Sequence, residues 1–150
     1  MREAISLSHE KMMAGAGGPF GAIIVLNGKI IGRGWNQVTS ANDPTAHAEV
    51  VAIRDACQHL SSFNLEGALL YTSCEPCPMC LCATYWARIE KIYYANTRQD
   101  AASIGFDDDV FYQELSKPLS HRQIPMEQID REEALKVFHL WSTKMDKIPY

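Results

Sequence analysis

The 150-residue sequence predicts an α/β fold in which helices pack on a central sheet, and three observations predict it. Two β-branched apolar runs are joined by Asn27-Gly28. Downstream, helical stripes alternate with short strand-like runs. No repeat, linker or low-complexity tract interrupts the order. At roughly 100–200 residues per domain, this length reads as a single domain, 1–150.

The elements follow in chain order. Residues 3–14 place Ile5, Leu7, Met12 and Met13 ahead of Gly15, Gly17 and Gly18, which predicts a helix that stops at those glycines. FGAIIVLNGKIIGRGW reads as a hairpin, with strands over 20–26 and 29–35 paired antiparallel. In SANDPT, residues 40–45, Asp43 is expected to cap a helix and Pro44 to take its first position. Val50, Ile53, Cys57 and Leu60 then form that helix's core stripe. ALLYTS (68–73) is a strand, residues 77–88 a second helix after a Pro-bounded turn, and KIYYA (91–95) another strand. Further on, DVFYQEL (109–115) predicts a short helix, QIPMEQI (123–129) a short strand, and 131–145 a final amphipathic helix.

Composition narrows the function classes. Hydrophobic residues make up 47% and charged ones 21%, which excludes a disordered or collagen-like chain. A formal charge of −4 advertises no broad surface for nucleic acid or acidic membranes. No apolar run approaches the ~18 residues of a membrane span, and the start lacks a signal-peptide core. The expectation is a soluble cytoplasmic protein. The five cysteines (Cys57, Cys74, Cys77, Cys80 and Cys82) are odd in number and mostly clustered, which points to metal or catalysis before disulfides.

The chemistry sits in His47-Ala48-Glu49 and, downstream, Pro76-Cys77-Pro78-Met79-Cys80, each at the predicted start of a helix. Cys77 and Cys80 are one helical turn apart, so both sulfurs face one way. Helix N-termini favour the thiolate form that binds metal. With His47 they make the three protein ligands of a catalytic zinc site, which keeps a fourth position for water that ionises near neutral pH. Glu49 is placed to take that water's proton and later return it to a leaving nitrogen.

His-x-Glu followed by Pro-Cys-x-x-Cys resembles the signature of the zinc nucleobase and nucleoside deaminases, the cytidine deaminase-like superfamily. Within it, GGPFGAIIV, NDPTAHAEV, LYTSCEPCPMC, YWAR and GFDDD resemble the small bacterial guanine deaminases over nearly the whole chain. The resemblance implies a three-layer α/β/α sandwich on a mixed sheet and conversion of guanine to xanthine and ammonia. It also implies one Zn²⁺ per subunit on His47, Cys77 and Cys80, with Glu49 as proton shuttle. Asn36 matches the amide that reads the purine edge, where a group carrying both donor and acceptor is suited to a mixed edge. Phe20 matches an aromatic of the base pocket. Asp108 matches a second carboxylate near the reacting amine, with Asp107 and Asp109 its immediate neighbours. Ala48 and Trp86 are further pocket-lining candidates. Tyr150 matches a C-terminal segment that closes the pocket. A homodimer is implied, with exchange of that tail between subunits as one arrangement, and a free purine base rather than nucleic acid or membrane as the partner.

Other readings stay open on the same residues. Cys74-x-x-Cys77 is also ligand-spaced, so a closed Cys₃His site that only staples the fold is an alternative, although Glu49 then has no role. Cys57 and Cys82 read as buried packing residues. His9, His59, His121 and His139 are isolated. A tRNA adenosine deaminase shares the metal motif but calls for basic clustering, and residues 131–150 are only weakly positive. Cytosine and ammeline are further small-ring substrates compatible with the motif.

Overall fold

In the computed structural model, which describes residues 1–106 and 108–150, the hairpin closes at Asn27-Gly28. Both residues hold positive φ, 50° and 74°, as a two-residue turn matched to the strand twist requires. The turn joins β1 (Gly21–Leu26) to β2 (Lys29–Trp35). β1 also pairs antiparallel with β3 (Leu69–Cys74), and β3 pairs parallel with β4 (Lys91–Asn96). The sheet is therefore mixed, in the order β2-β1-β3-β4.

Helix α1 (Arg2–Met13) covers one face of the hairpin. The short α2 (Val38–Ala41) leads to α3 (Ala48–Leu60), which covers the other face, with α4 (Pro78–Trp86) beside it. A helix between β3 and β4 is what a parallel step demands, since no tight turn can make it. The result is the expected three-layer α/β/α arrangement. α3 approaches the sheet closely because it presents Ala48, Ala52 and Ala56 to the bare backbone of Gly32 and Gly34. A methyl group on Gly34 would sit 2.1 Å from the Ala48 carbonyl oxygen, so no other residue fits there without displacing the helix. Ala22, Ile24, Ile31 and Leu70 complete this apolar layer.

The chain divides into two compact units, Met1–Asp109 and Val110–Tyr150. The first also holds α5 (Arg98–Ser103), whose Thr97 and Asp100 form a reciprocal capping box. Helix α6 (Asp109–Ser116) begins at the boundary; the second unit adds a single 3₁₀ turn (Leu119–His121) and α7 (Arg131–Thr143). None of the described residues of the second unit is buried.

Three expectations change. Residues 123–129 form no strand: Pro125 removes a ladder donor, and Ile124, Met126 and Ile129 are exposed. The helix expected from Asp43 and Pro44 starts instead at Ala48, with His47 as its N-cap. Asp43 accepts hydrogen bonds from the Thr45 amide (2.8 Å) and hydroxyl (2.7 Å), closing a turn on itself rather than capping a helix. Cys82 is exposed, because it lies two residues beyond Cys80 and so turns away from the face that Cys80 buries. Among the described residues, no helix is long and apolar enough to cross a membrane.

Candidate active site

His47 and Cys77 occupy equivalent positions, the N-caps of α3 and α4. Both have extended backbones, with ψ of 155° and 168°, which turn the chain sharply into a helix and present the side chain at its end. Pro78 at the first helical position starts α4, where its missing N–H costs nothing. The loop before Cys77 is tied to β4: the Glu75 amide donates to the Asn96 carbonyl (2.8 Å), and Glu75 Oε2 accepts from the Arg98 amide (3.1 Å). The loop before His47 is tied by the Asp43 turn and by the Gln37 amide donating to the Ala46 carbonyl (2.8 Å).

These two loops bring His47 Nδ1 to 3.6 Å from Cys77 Sγ and 3.5 Å from Cys80 Sγ. A tetrahedral zinc with arms of about 2.0–2.3 Å needs its ligand atoms roughly 3.5 Å apart. The three side chains fit that ion, and they are the metal-competent cluster among the described residues. Cys74 is not part of it. It is buried at the end of β3, its thiol donates to the Thr97 carbonyl (3.5 Å), and burial pushes it up to about 11.

The cluster's electrostatics suit a metal. Hydrogen bonding from the Cys80 thiol, with His47 beside it, brings Cys77 down to about 4 despite burial. Cys80, hydrogen-bonded to that thiolate and buried, is pushed up and keeps its proton until a metal displaces it. His47 is raised by its hydrogen bond to Cys77. Glu49, on the first turn of α3, is 6% exposed, and burial raises its carboxyl. A carboxyl so placed exchanges a proton more readily than a solvated one. The Thr72 hydroxyl donates to its Oε1 at 3.0 Å.

Asn36 is buried after β2, and its Oδ1 accepts from the Gly18 and Val38 amides, each at 3.3 Å. Both acceptor lone pairs are thereby taken, so the side chain offers a ligand its NH₂ donor rather than the donor–acceptor pair expected for a mixed edge. Phe20 packs edge-on against Phe106, centroids 4.8 Å apart at 90°. A Cβ on Gly18 would lie 3.5 Å from Asn36, Phe20 and Phe106 alike, so all three meet over that glycine. Asp108 lies within electrostatic reach of Cys77 and His47, its carboxyl raised by partial burial. Asp107 is outside the described residues. Ala48 is fully buried against Gly34. Trp86 stands apart at the far end of α4, 64% exposed beside Cys82, Tyr85 and Arg88. Tyr150 belongs to the second unit and is exposed.

Sequence reading missed Thr72 and Phe106. The first interrupts an apolar strand at an inward position, and the second adjoins the acidic run; those are the signals that could have found them.

The profile described as cytidine and deoxycytidylate deaminase zinc-binding region matches residues 1–96. The chain belongs to that family. Guanine deaminase of Bacillus subtilis is 51% identical over 150 residues, covering 100% of this chain and 96% of that protein. Its X-ray structure superposes with a TM-score of 0.96 over 99% of this chain and 95% of that one. A tRNA-specific adenosine deaminase of Agrobacterium fabrum is 49% identical over 103 residues, 69% of this chain and 65% of that protein. The guanine deaminase structure from Nitrosomonas europaea is 30% identical with a TM-score of 0.66, covering 71% of this chain and 62% of that one. His47, Cys77 and Cys80 lie inside the family's zinc-binding region, so the motif and the geometry describe one zinc-dependent aminohydrolase centre.

Proposed function

We propose that the chain hydrolyses guanine to xanthine and ammonia. The observation that carries this is the range of the match: similarity to Bacillus guanine deaminase continues through residues 97–150, beyond the family's zinc region, whereas the Agrobacterium tRNA deaminase covers 69% of the chain. The Asn36 geometry supports it independently. A side chain that offers only donors suits guanine, whose O6 and N7 are both acceptors on one edge, whereas adenine presents a donor at the same place.

With Zn²⁺ on His47, Cys77 and Cys80, the chemistry supplied is activation of a water toward ionisation near neutral pH. The rest belongs to the chain. Asn36 orients the base, and Phe20 with Phe106 walls the aromatic ring. Glu49 takes a proton from the attacking water as its oxygen bonds to C2. Glu49 then delivers that proton to the amine nitrogen, the C2–N bond breaks, and ammonia leaves. Asp108 accepts from an N–H of the ring beside the reacting amine.

A cytoplasmic homodimer is part of this reading. Tyr85 and Trp86 on α4, and Val137, Phe138, Leu140 and Trp141 on α7, are exposed, an amount of apolar surface that a second copy would cover. Exchange of the C-terminal tail between subunits is one way of covering it.

The test is ammonia release by zinc-loaded protein offered guanine, cytosine, ammeline and an adenosine-containing tRNA anticodon stem. Turnover of guanine, with xanthine appearing in the ultraviolet spectrum, is expected. Turnover of the tRNA stem and not of guanine would overturn the base pocket and leave the zinc site standing.

A further inference from the structure

We propose that Thr72 is a positioning residue for the deamination: its hydroxyl fixes Oε1 of Glu49, so that Oε2 is the oxygen that carries the proton. The inference deepens the reading of Glu49 as proton shuttle and rests on it.

Thr72 is 1% exposed and Glu49 6%, so neither group has bulk water to fall back on; the carboxyl's interior donors are the Thr72 hydroxyl and the thiol of Cys80, which gives up its proton when it binds metal. The anchor is stiff. β3 is an interior strand of the sheet, and Thr72 is in register with Ala22 of β1 on one side and Tyr94 of β4 on the other. A β-branched side chain also has few χ1 positions. The anchored group is stiff as well, because Glu49 follows Ala48, whose carbonyl is pressed against Gly34. The 3.0 Å hydrogen bond therefore spans two rigid layers and removes the carboxyl's freedom to rotate about its last torsion. Such a torsion is otherwise broad and roughly two-fold.

With Oε1 held, one oxygen is committed. Oε2 takes the proton of the attacking water and gives it to the departing amine, while Thr72 keeps its own proton throughout. A valine would fill the same strand position with no partner to satisfy, so the packing alone does not account for a hydroxyl there.

The test compares wild type with T72V, T72S and T72A. Guanine kcat and KM, zinc content, and thermal unfolding of the metal-free proteins are measured, the last also for E49A and T72V/E49A. T72V is expected to lower kcat about 10–100-fold, the scale of a misplaced catalytic group, with KM and zinc content unchanged. T72S should restore most of kcat and T72A should not; this pair isolates the hydroxyl even if T72V folds poorly. In metal-free protein, T72V should cost less thermal stability in the E49A background than in wild type. Wild-type kcat in T72V, or equal kcat in T72S and T72A, would overturn the proposal, as would additive stability losses. If wild type itself does not turn over guanine, the functional reading fails, and the stability cycle still judges the Thr72–Glu49 contact.

Discussion

Glu49 is a carboxyl group shut away from water beside three metal-ligand atoms, and its value lies in that placement. It is no closer to being a ligand, since His47, Cys77 and Cys80 complete the cluster without it. Glu49→Ala is therefore expected to retain zinc and fold while losing about 10²–10⁴-fold in guanine turnover, the usual scale of general acid–base help. Zinc analysis beside an ammonia assay checks both halves, and near wild-type turnover would remove Glu49 from the mechanism. Asp108 makes a different case. Its charge is felt by Cys77 and His47, yet it holds no position in the ligand cluster. Asp108→Ala should lower guanine turnover at unchanged zinc content; equal kinetics in mutant and parent would leave it a carboxylate of the turn before α6.

The elements explain how these residues meet. Two helices start at the same end of the sheet, and each begins with a ligand at its N-cap. The start of α3 is fixed by contact of its backbone with Gly34. Gly34→Ala would drive a methyl group into the Ala48 carbonyl and the Ala52 amide, which cannot swing aside as a side-chain end could. A loss of about 1–3 kcal/mol is expected for such overpacking, together with weaker zinc binding, because the displaced helix end carries His47. Denaturant melts and a chelator competition measure the two effects, and an unchanged zinc affinity would separate the helix position from the site. The helix starts at Ala48 and not after Asp43 because Asp43 and Pro44 carry signals that serve turns and N-caps equally. The hairpin is legible in the sequence because Asn27-Gly28 satisfies a local turn rule that depends on no distant residue.

At the scale of the molecule, metal and chain ends matter most. The ligands come from α3 and α4, neighbours on one face of the sheet, so zinc ties the starts of those two helices together. Removing zinc should lower the melting temperature, and re-adding it should restore it. Since Cys80 keeps its proton without metal, loading releases protons, and affinity falls as pH falls because protons compete for the same sulfur. Calorimetric titration of zinc in buffers of different ionisation enthalpy reads that release directly. Deleting the last residues through Tyr150 should impair guanine turnover at constant zinc content; unaltered kinetics would make the tail an ordinary loose end.

The amino-acid sequence alone determined the fold class, the hairpin and the ligand triad, and it singled out Glu49 as the proton-shuttle candidate. Each is encoded locally: a turn dipeptide, a periodic stripe, or a spacing that one helical turn converts into a shared direction. Tertiary structure decided what depends on distant parts meeting. It put Thr72 against Glu49 across 23 positions of sequence, committed the Asn36 oxygen to the Gly18 and Val38 amides, and set Phe106 against Phe20. It also left 123–129 without a strand to pair with. The difference is physical: burial and hydrogen-bond partnership are properties of the packed chain, and a residue's type states only what it could bond, not what it meets.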